Sequence, residues 1–156
     1  IGGAIGDERE MLGDVPLGKL GGHKILVVDD DEEIRVFLTT LFSDEGAYVS
    51  EAADGREALQ TAERDKPDLI TLDLSMPGMD SIDAFSALRE NPVTQEIPVC
   101  IITGHPEFRR VLYDRPVTPP EGFINKPCDP DHVVDTVHRI LGLRERKRRK
   151  ALSGDR

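Results

Sequence analysis

Residues 24 to 35 read KILVVDDDEEIR: an apolar run leads straight into Asp29, Asp30 and Asp31, with Glu32 and Glu33 directly after. Acids are favoured at helix starts, where they accept from free backbone N–H groups and complement the positive end of the dipole. That accounts for Asp31, Glu32 and Glu33. Asp29 and Asp30 come too early for it, at the mouth of a strand, where like charges a few ångströms apart repel and raise each other's pKa. Such a pair calls for a cation. A third acid, Asp73, closes the apolar run LITL, while Thr103 closes IPVCIIT and Lys126 closes GFINK. Three carboxylates form an oxygen-rich site for a hard divalent ion, and magnesium suits it because it takes one or two carboxylates and keeps waters. One carboxylate can then act as nucleophile while the ion and a lysine neutralise charge on a transferred phosphoryl group. Thr103 would donate a hydrogen bond to a phosphoryl oxygen.

These residues must be brought to one place by the elements that carry them. Strand-like and helix-like segments alternate from Lys24 onward. KILVVD reads as a strand, and a helix follows from about Asp31 to Phe42 with Ile34, Phe37, Leu38 and Leu41 at helical spacing. AYVSEA is a strand, GREALQTAERD a helix and PDLITLD a strand; Asp80 or Ser81 caps a helix to about Arg89. IPVCIIT and GFINK are further strands, and a last helix starts near Pro130 with Val133, Val134, Val137, Ile140 and Leu141 on one face. Alternation with continuously apolar strands predicts a doubly wound, five-stranded parallel α/β domain. Ligands of such sheets bind beyond the carboxyl ends of the strands. Asp29, Asp30, Asp73, Thr103 and Lys126 all fall there.

The formal charge of −10 conceals an asymmetry, because RERKRRK, residues 144 to 150, holds six bases and one acid. The remainder is acidic enough to argue against nucleic-acid binding by the domain itself, since phosphate contacts need a basic face. The sequence contains no apolar run long enough for a membrane span and no signal-peptide pattern. Cys100 and Cys128 stand far apart with no Cys-x-x-Cys pair, so neither a zinc site nor a disulfide framework is expected, and a reducing cytoplasm is the expected compartment. The glycine-rich residues 1–23 read as a leader or linker with at most a short amphipathic turn around Met11 and Leu12, 24–142 as the domain, and 143–156 as a basic tail.

ILVVDDDEEIR, LITLDLSMPGMD, CIITG and GFINKP together resemble the receiver domain of bacterial two-component response regulators, over about Lys24 to Leu141. The resemblance implies a flavodoxin-like fold with strand order 2-1-3-4-5 and a phosphoryl group accepted by Asp73 from the phosphohistidine of a sensor histidine kinase or phosphotransfer protein. It implies Mg2+ held by Asp30, Asp73 and the Ser75 backbone carbonyl, with Asp29 acting largely through water. Lys126 would pair with phosphoryl oxygens, and Lys126–Pro127 would be a cis peptide. Thr103 would be the switch hydroxyl and Phe123 the switch aromatic. The implied role is a signalling switch, not an enzyme acting on a separate substrate, although it promotes its own aspartyl phosphorylation and dephosphorylation.

Three departures stand out. Gly104 follows Thr103 where the family usually has alanine, and Ser81 stands where it often has glycine. The prolines at 116, 119 and 120 forbid a fourth helix of ordinary length, so only about Pro106 to Tyr113 is expected to be helical. The alternative is a pseudo-receiver, an interaction module that keeps the fold and ignores phosphate; retention of all five site residues argues against it. A haloacid-dehalogenase-type phosphatase is disfavoured because Glu32 and Glu33 follow the acids. His132 and His138, six apart, do not share a helix face, so they form no metal pair. His105 is a candidate for shaping water access, and Cys128 lies near the site mouth without an expected redox role.

Overall fold

The computed structural model describes residues 18–74 and 81–154. The expected features at Met11, Leu12, Ser75 and Asp80 lie outside them. Chain order is β1 (Lys24–Val28), α1 (Glu32–Asp44), β2 (Tyr48–Ala52), α2 (Gly55–Asp65), β3 (Leu69–Leu72), α3 (Ser81–Glu90), β4 (Val99–Thr103), a 3-10 turn (Pro106–Phe108), α4 (Arg109–Tyr113), β5 (Gly122–Asn125) and α5 (Pro130–Ser153). The strands form one parallel sheet in the order β2-β1-β3-β4-β5. The central strands β3 and β4 are buried along their whole length, as a sheet covered on both faces requires, and the edge strands β2 and β5 are only partly covered.

Side chains alternate between the two faces of the sheet, so one sequence run feeds two cores. Leu26, Val28, Ile70, Leu72 and Ile101 pack with Ala58, Ala62, Phe85 and Leu88 of α2 and α3. Ile25, Val27, Leu69, Cys100 and Ile102 pack on the other face with Leu38 and Phe42 of α1 and Val133, Val137 and Ile140 of α5. Phe37, expected on the inward face of α1, is instead 36% exposed. The sheet-facing stripe runs through Leu38 and Phe42, one turn apart, and turns Val36 and Phe37 outward.

Part of the expected leader belongs to the packed body. Leu20 is fully buried in the second core, and its N–H donates to the Glu45 carbonyl at 2.9 Å. Gly18 has φ 93°, and a Cβ there would meet the Glu45 carbonyl oxygen at 2.5 Å, so only glycine makes this approach. At the other end, α5 continues through most of the residues read as a basic tail and runs to Ser153, where Gly154 at φ 80° caps it.

The proline-rich segment behaves as its composition demands. Helix occupies only Arg109–Tyr113 after the 3-10 turn, and residues 114–121 follow without regular structure. Arg89, its side chain 3% exposed, anchors this loop. Its guanidinium donates to the carbonyls of Ile97, Thr118 and Pro119 and to Glu121 Oε1 at 2.7 Å. Glu121 Oε1 also accepts from the Val99 N–H at 2.7 Å. Carbonyls that a helix would have bonded internally are satisfied by one arginine instead.

Candidate functional site: an acidic pocket at the carboxyl edge of the sheet

All five strands point the same way, so their carboxyl ends lie on one edge. The ladder fixes Asp29, Asp73, Thr103 and Lys126 by their backbones, just past a strand or at its last position. The Asp29 N–H donates to the Ala52 carbonyl at 3.2 Å, the Asp73 N–H to the Val28 carbonyl at 3.1 Å, and the Lys126 N–H to the Thr103 carbonyl at 2.8 Å. Because Val28 pairs with Leu72 in register, Asp29 and Asp73 are neighbours across the sheet. Carboxylate oxygens of Asp29, Asp30 and Asp73 lie within 4.8 Å of one another; Asp29 and Asp73 are buried and Asp30 is exposed.

Lys126 Nζ donates to Asp29 Oδ2 at 2.7 Å and stands 3.5 Å from Asp73 Oδ1. Two buried carboxylates share one ammonium, and the electrostatics follow that imbalance. Burial, with the Asp73 charge adding to it, raises the Asp29 carboxyl above its ordinary range despite the hydrogen bonds from Lys126 and Asp31. Burial works to lower Lys126, but the hydrogen bond to Asp29 and the charges of Asp73 and Asp29 outweigh it, and the lysine is raised.

Asp31, Glu32 and Glu33 take the helix-start role that the sequence implies. Asp31 is the N-cap of α1, accepting from the N–H of Glu33 at 2.9 Å and of Ile34 at 3.4 Å, and both glutamates lie in the first turn. The Asp31 N–H in turn donates to Asp29 Oδ1 at 2.9 Å, tying the cap to the pocket.

Thr103 is fully buried, and its Oγ1 accepts from the His105 N–H at 3.1 Å, which leaves the hydroxyl proton for another acceptor. His105 itself is turned outward, its Nδ1 3.0 Å from Glu107 Oε2. Gly104 has no left-handed backbone, and a Cβ there would come no closer than 4.0 Å to Lys126 Cβ, so nothing in the loop geometry requires glycine. The Lys126–Pro127 peptide is cis. Phe123 is half-buried, and the Arg109 guanidinium sits over both its ring, at 4.8 Å, and that of Tyr113, at 5.0 Å. His132 and His138 join no metal-ligating group among the described residues. Cys128 is partly buried, and burial raises its thiol.

Two supporting residues escaped the sequence reading. Arg35 donates to the Asp29 carbonyl at 2.7 Å and to Glu51 Oε1 at 3.1 Å, tying the end of β1 to α1 and β2. Arg109 stacks on Phe123 across the proline-rich loop. Both contacts depend on how separate elements meet, for which spacing along the chain carries no signal.

The donor set fits magnesium on its chemistry: hard oxygens only, two of the three acids buried and the third facing water, where the ion would keep part of its hydration. A family profile described as response regulator receiver domain matches residues 25–138. The chain is 34% identical over 122 residues to sporulation initiation phosphotransferase F of Bacillus subtilis, covering 78% of this chain and 96% of that one. It is 31% identical over 120 residues to the chemotaxis protein CheY of Thermotoga maritima, covering 76% and 98%. Among solved structures, chemotaxis protein CheY4 of Vibrio cholerae superposes with a TM-score of 0.67 at 32% identity, over 75% of this chain and 97% of that one. With sheet order, acidic pocket and sequence in agreement, the chain belongs to the response regulator receiver domain family of two-component signalling, whose typical role is to accept a phosphoryl group.

Proposed function

We propose that Asp73 is the phosphoacceptor, and that the domain takes a phosphoryl group from a phosphohistidine of a sensor histidine kinase or phosphotransfer protein and thereby changes its partner preference. The observation that carries this reading is the placement of Lys126 Nζ between two buried carboxylates, 2.7 Å from Asp29 and 3.5 Å from Asp73. Asp73 attacks phosphorus through a carboxylate oxygen, an acyl phosphate O–P bond forms, and the P–N bond breaks with its electron pair leaving on the imidazole. Lys126 lies within reach to neutralise charge on the transferred group, and the buried Thr103 hydroxyl supplies a donor to a phosphoryl oxygen.

Asp29, Asp30 and Asp73, with the Ser75 carbonyl, are the groups assigned to Mg2+. When bound, the ion supplies charge neutralisation and a template for phosphoryl oxygens. The same pocket serves the domain's own dephosphorylation, with His105 at its rim. Phe123 is the aromatic assigned to follow Thr103, and here it must move against the Arg109 stack. Among the described residues no helix is long and apolar enough to cross a membrane.

With a small-molecule phosphodonor and magnesium, the protein should gain one phosphoryl group that is labile in base, and Asp73→Asn should gain none. Unchanged labelling of that variant overturns the assignment. Failure of the parent protein to label at all would favour the phosphate-independent alternative.

A further inference from the structure

α5 is longer than the body needs. Its 24 residues span about 36 Å, whereas a five-residue strand of the sheet spans about 17 Å. It begins beside the acidic edge, just after Lys126 and Pro127, and reaches the opposite edge at Arg144, whose Nη1 donates to the Asp68 carbonyl immediately before β3. The one acid of the basic run, Glu145, also faces the body, 3.9 Å from His23 Nε2. Beyond it, Arg146, Lys147, Arg148, Arg149 and Lys150 are exposed and make no ion pair with any described residue. The helix still holds its form to the Gly154 cap.

Two features say what would cover these turns. At about 100° per residue, five successive cations surround the helix and do not line one side. Leu143 and Leu152, both exposed, fall about 180° apart on that wheel, so no apolar face exists for a helix lying in a lipid surface. Like charges four residues apart, such as Arg144 with Arg148 and Arg146 with Lys150, disfavour an isolated helix, a conflict that a polyanion would relieve. Burial first, and then the charge of Arg148, lower Arg144 from its ordinary value.

We propose that α5 beyond Glu145 is a binding element for the phosphate backbone of duplex nucleic acid, at the pole of the molecule opposite the acidic pocket. A helix about 10–12 Å across fits a major groove about 12 Å wide, where phosphates stand on both walls and the long Lys and Arg stems let cations on either flank reach one. The acidic body stays outside the groove. Contacts to phosphates carry no sequence information, so binding is sequence-tolerant and steeply salt-dependent. Five phosphate contacts give a slope of about −4.5 in log affinity against log salt, or about a 500-fold loss between 50 and 200 mM.

The test is fluorescence anisotropy of the full chain with two 24-base-pair duplexes of unrelated sequence, beside vesicles containing 30% phosphatidylserine. Both duplexes should bind alike with a slope near the stated value. A variant with Arg146, Lys147, Arg148, Arg149 and Lys150 all changed to glutamine, which keeps helix propensity, should bind at least tenfold more weakly at 50 mM salt. A control with Arg56, Arg64, Arg110 and Arg139 changed to glutamine alters body charge but not the extension, and should bind duplex like the parent. Circular dichroism of the glutamine variant keeps the result interpretable, since an unchanged helix signal ties any loss to charge. Absence of duplex binding at 50 mM salt, equal binding by the glutamine variant, an equal loss in the control, or tighter binding to vesicles than to duplex each overturns the proposal.

Discussion

Arg89 Nη2 donates to Glu121 Oε1 at 2.7 Å, joining the end of α3 to the residue before β5. The same guanidinium stands over the Phe85 ring at 5.0 Å and holds the carbonyls of Ile97, Thr118 and Pro119. The irregular segment ahead of the lysine that serves the pocket is therefore anchored by a buried cation, with an Arg115–Asp83 ion pair at 3.1 Å and the Glu121 N–H to the Val99 carbonyl at 2.9 Å beside it.

Replacing that cation should be expensive. Arg89→Met keeps much of the apolar stem yet leaves three carbonyls without this donor and the Glu121 carboxylate with the Val99 N–H but no cation, and is expected to lower stability by about 3 kcal/mol. Urea denaturation measures the loss, and amide exchange should show residues 114–121 opening first. A loss under about 1 kcal/mol would mean that the prolines and the remaining contacts, such as Arg115 with Asp83, hold the loop without it.

The acids of KILVVDDDEEIR divide by role, and magnesium should tell them apart. Asp30→Asn is expected to weaken the ion by at least about tenfold, because it removes one of the few charged oxygens in the pocket. Glu33→Gln, which sits in the first turn of α1, should change affinity by less than about twofold. Titration calorimetry checks both, and equal losses would contradict the division.

Lys126→Ala removes the ammonium from between Asp29 and Asp73. Magnesium affinity should hold or rise, since a competing cation is gone, while the phosphorylation rate should fall by about a hundredfold. A collapse of magnesium binding in this variant would make the lysine a structural support of the pocket.

Leu20 precedes the segment that the family profile matches, yet it is fully buried. Leu20→Ala is expected to cost about 2–4 kcal/mol by chemical denaturation, as a large-to-small change in a packed core does. A neutral result would place residues 18–23 outside the cooperative unit.

Burial pushes the Cys100 thiol up to about 12, so the thiolate, the reactive form, is scarce at any ordinary pH. At pH 8 an alkylating reagent should modify Cys128 alone in the native protein, and more slowly than a free thiol because that group is also raised. Mass spectrometry of the native and the urea-unfolded protein separates the two sites, with Cys100 expected to react only after unfolding.

The sequence by itself determined the sheet, the chemistry of its edge and the limit on α4. Apolar runs such as LITL and VCIIT can be satisfied only by burial on both faces, and a parallel sheet then brings every strand end to one side, so Asp29, Asp73, Thr103 and Lys126 meet whatever the helices do. Proline's fixed φ and missing donor are likewise local facts, legible without a fold. Tertiary structure alone decided the rest. Leu20 became core because Gly18 allows the chain to touch the Glu45 backbone, and Phe37 faced outward because the sheet selected the stripe through Leu38 and Phe42. Nothing in the sequence pattern singles out Arg35, Arg89 or Arg109. Their roles arise only where a carbonyl or an aromatic ring from a distant segment arrives within reach, and nothing in the order of residues records that distance.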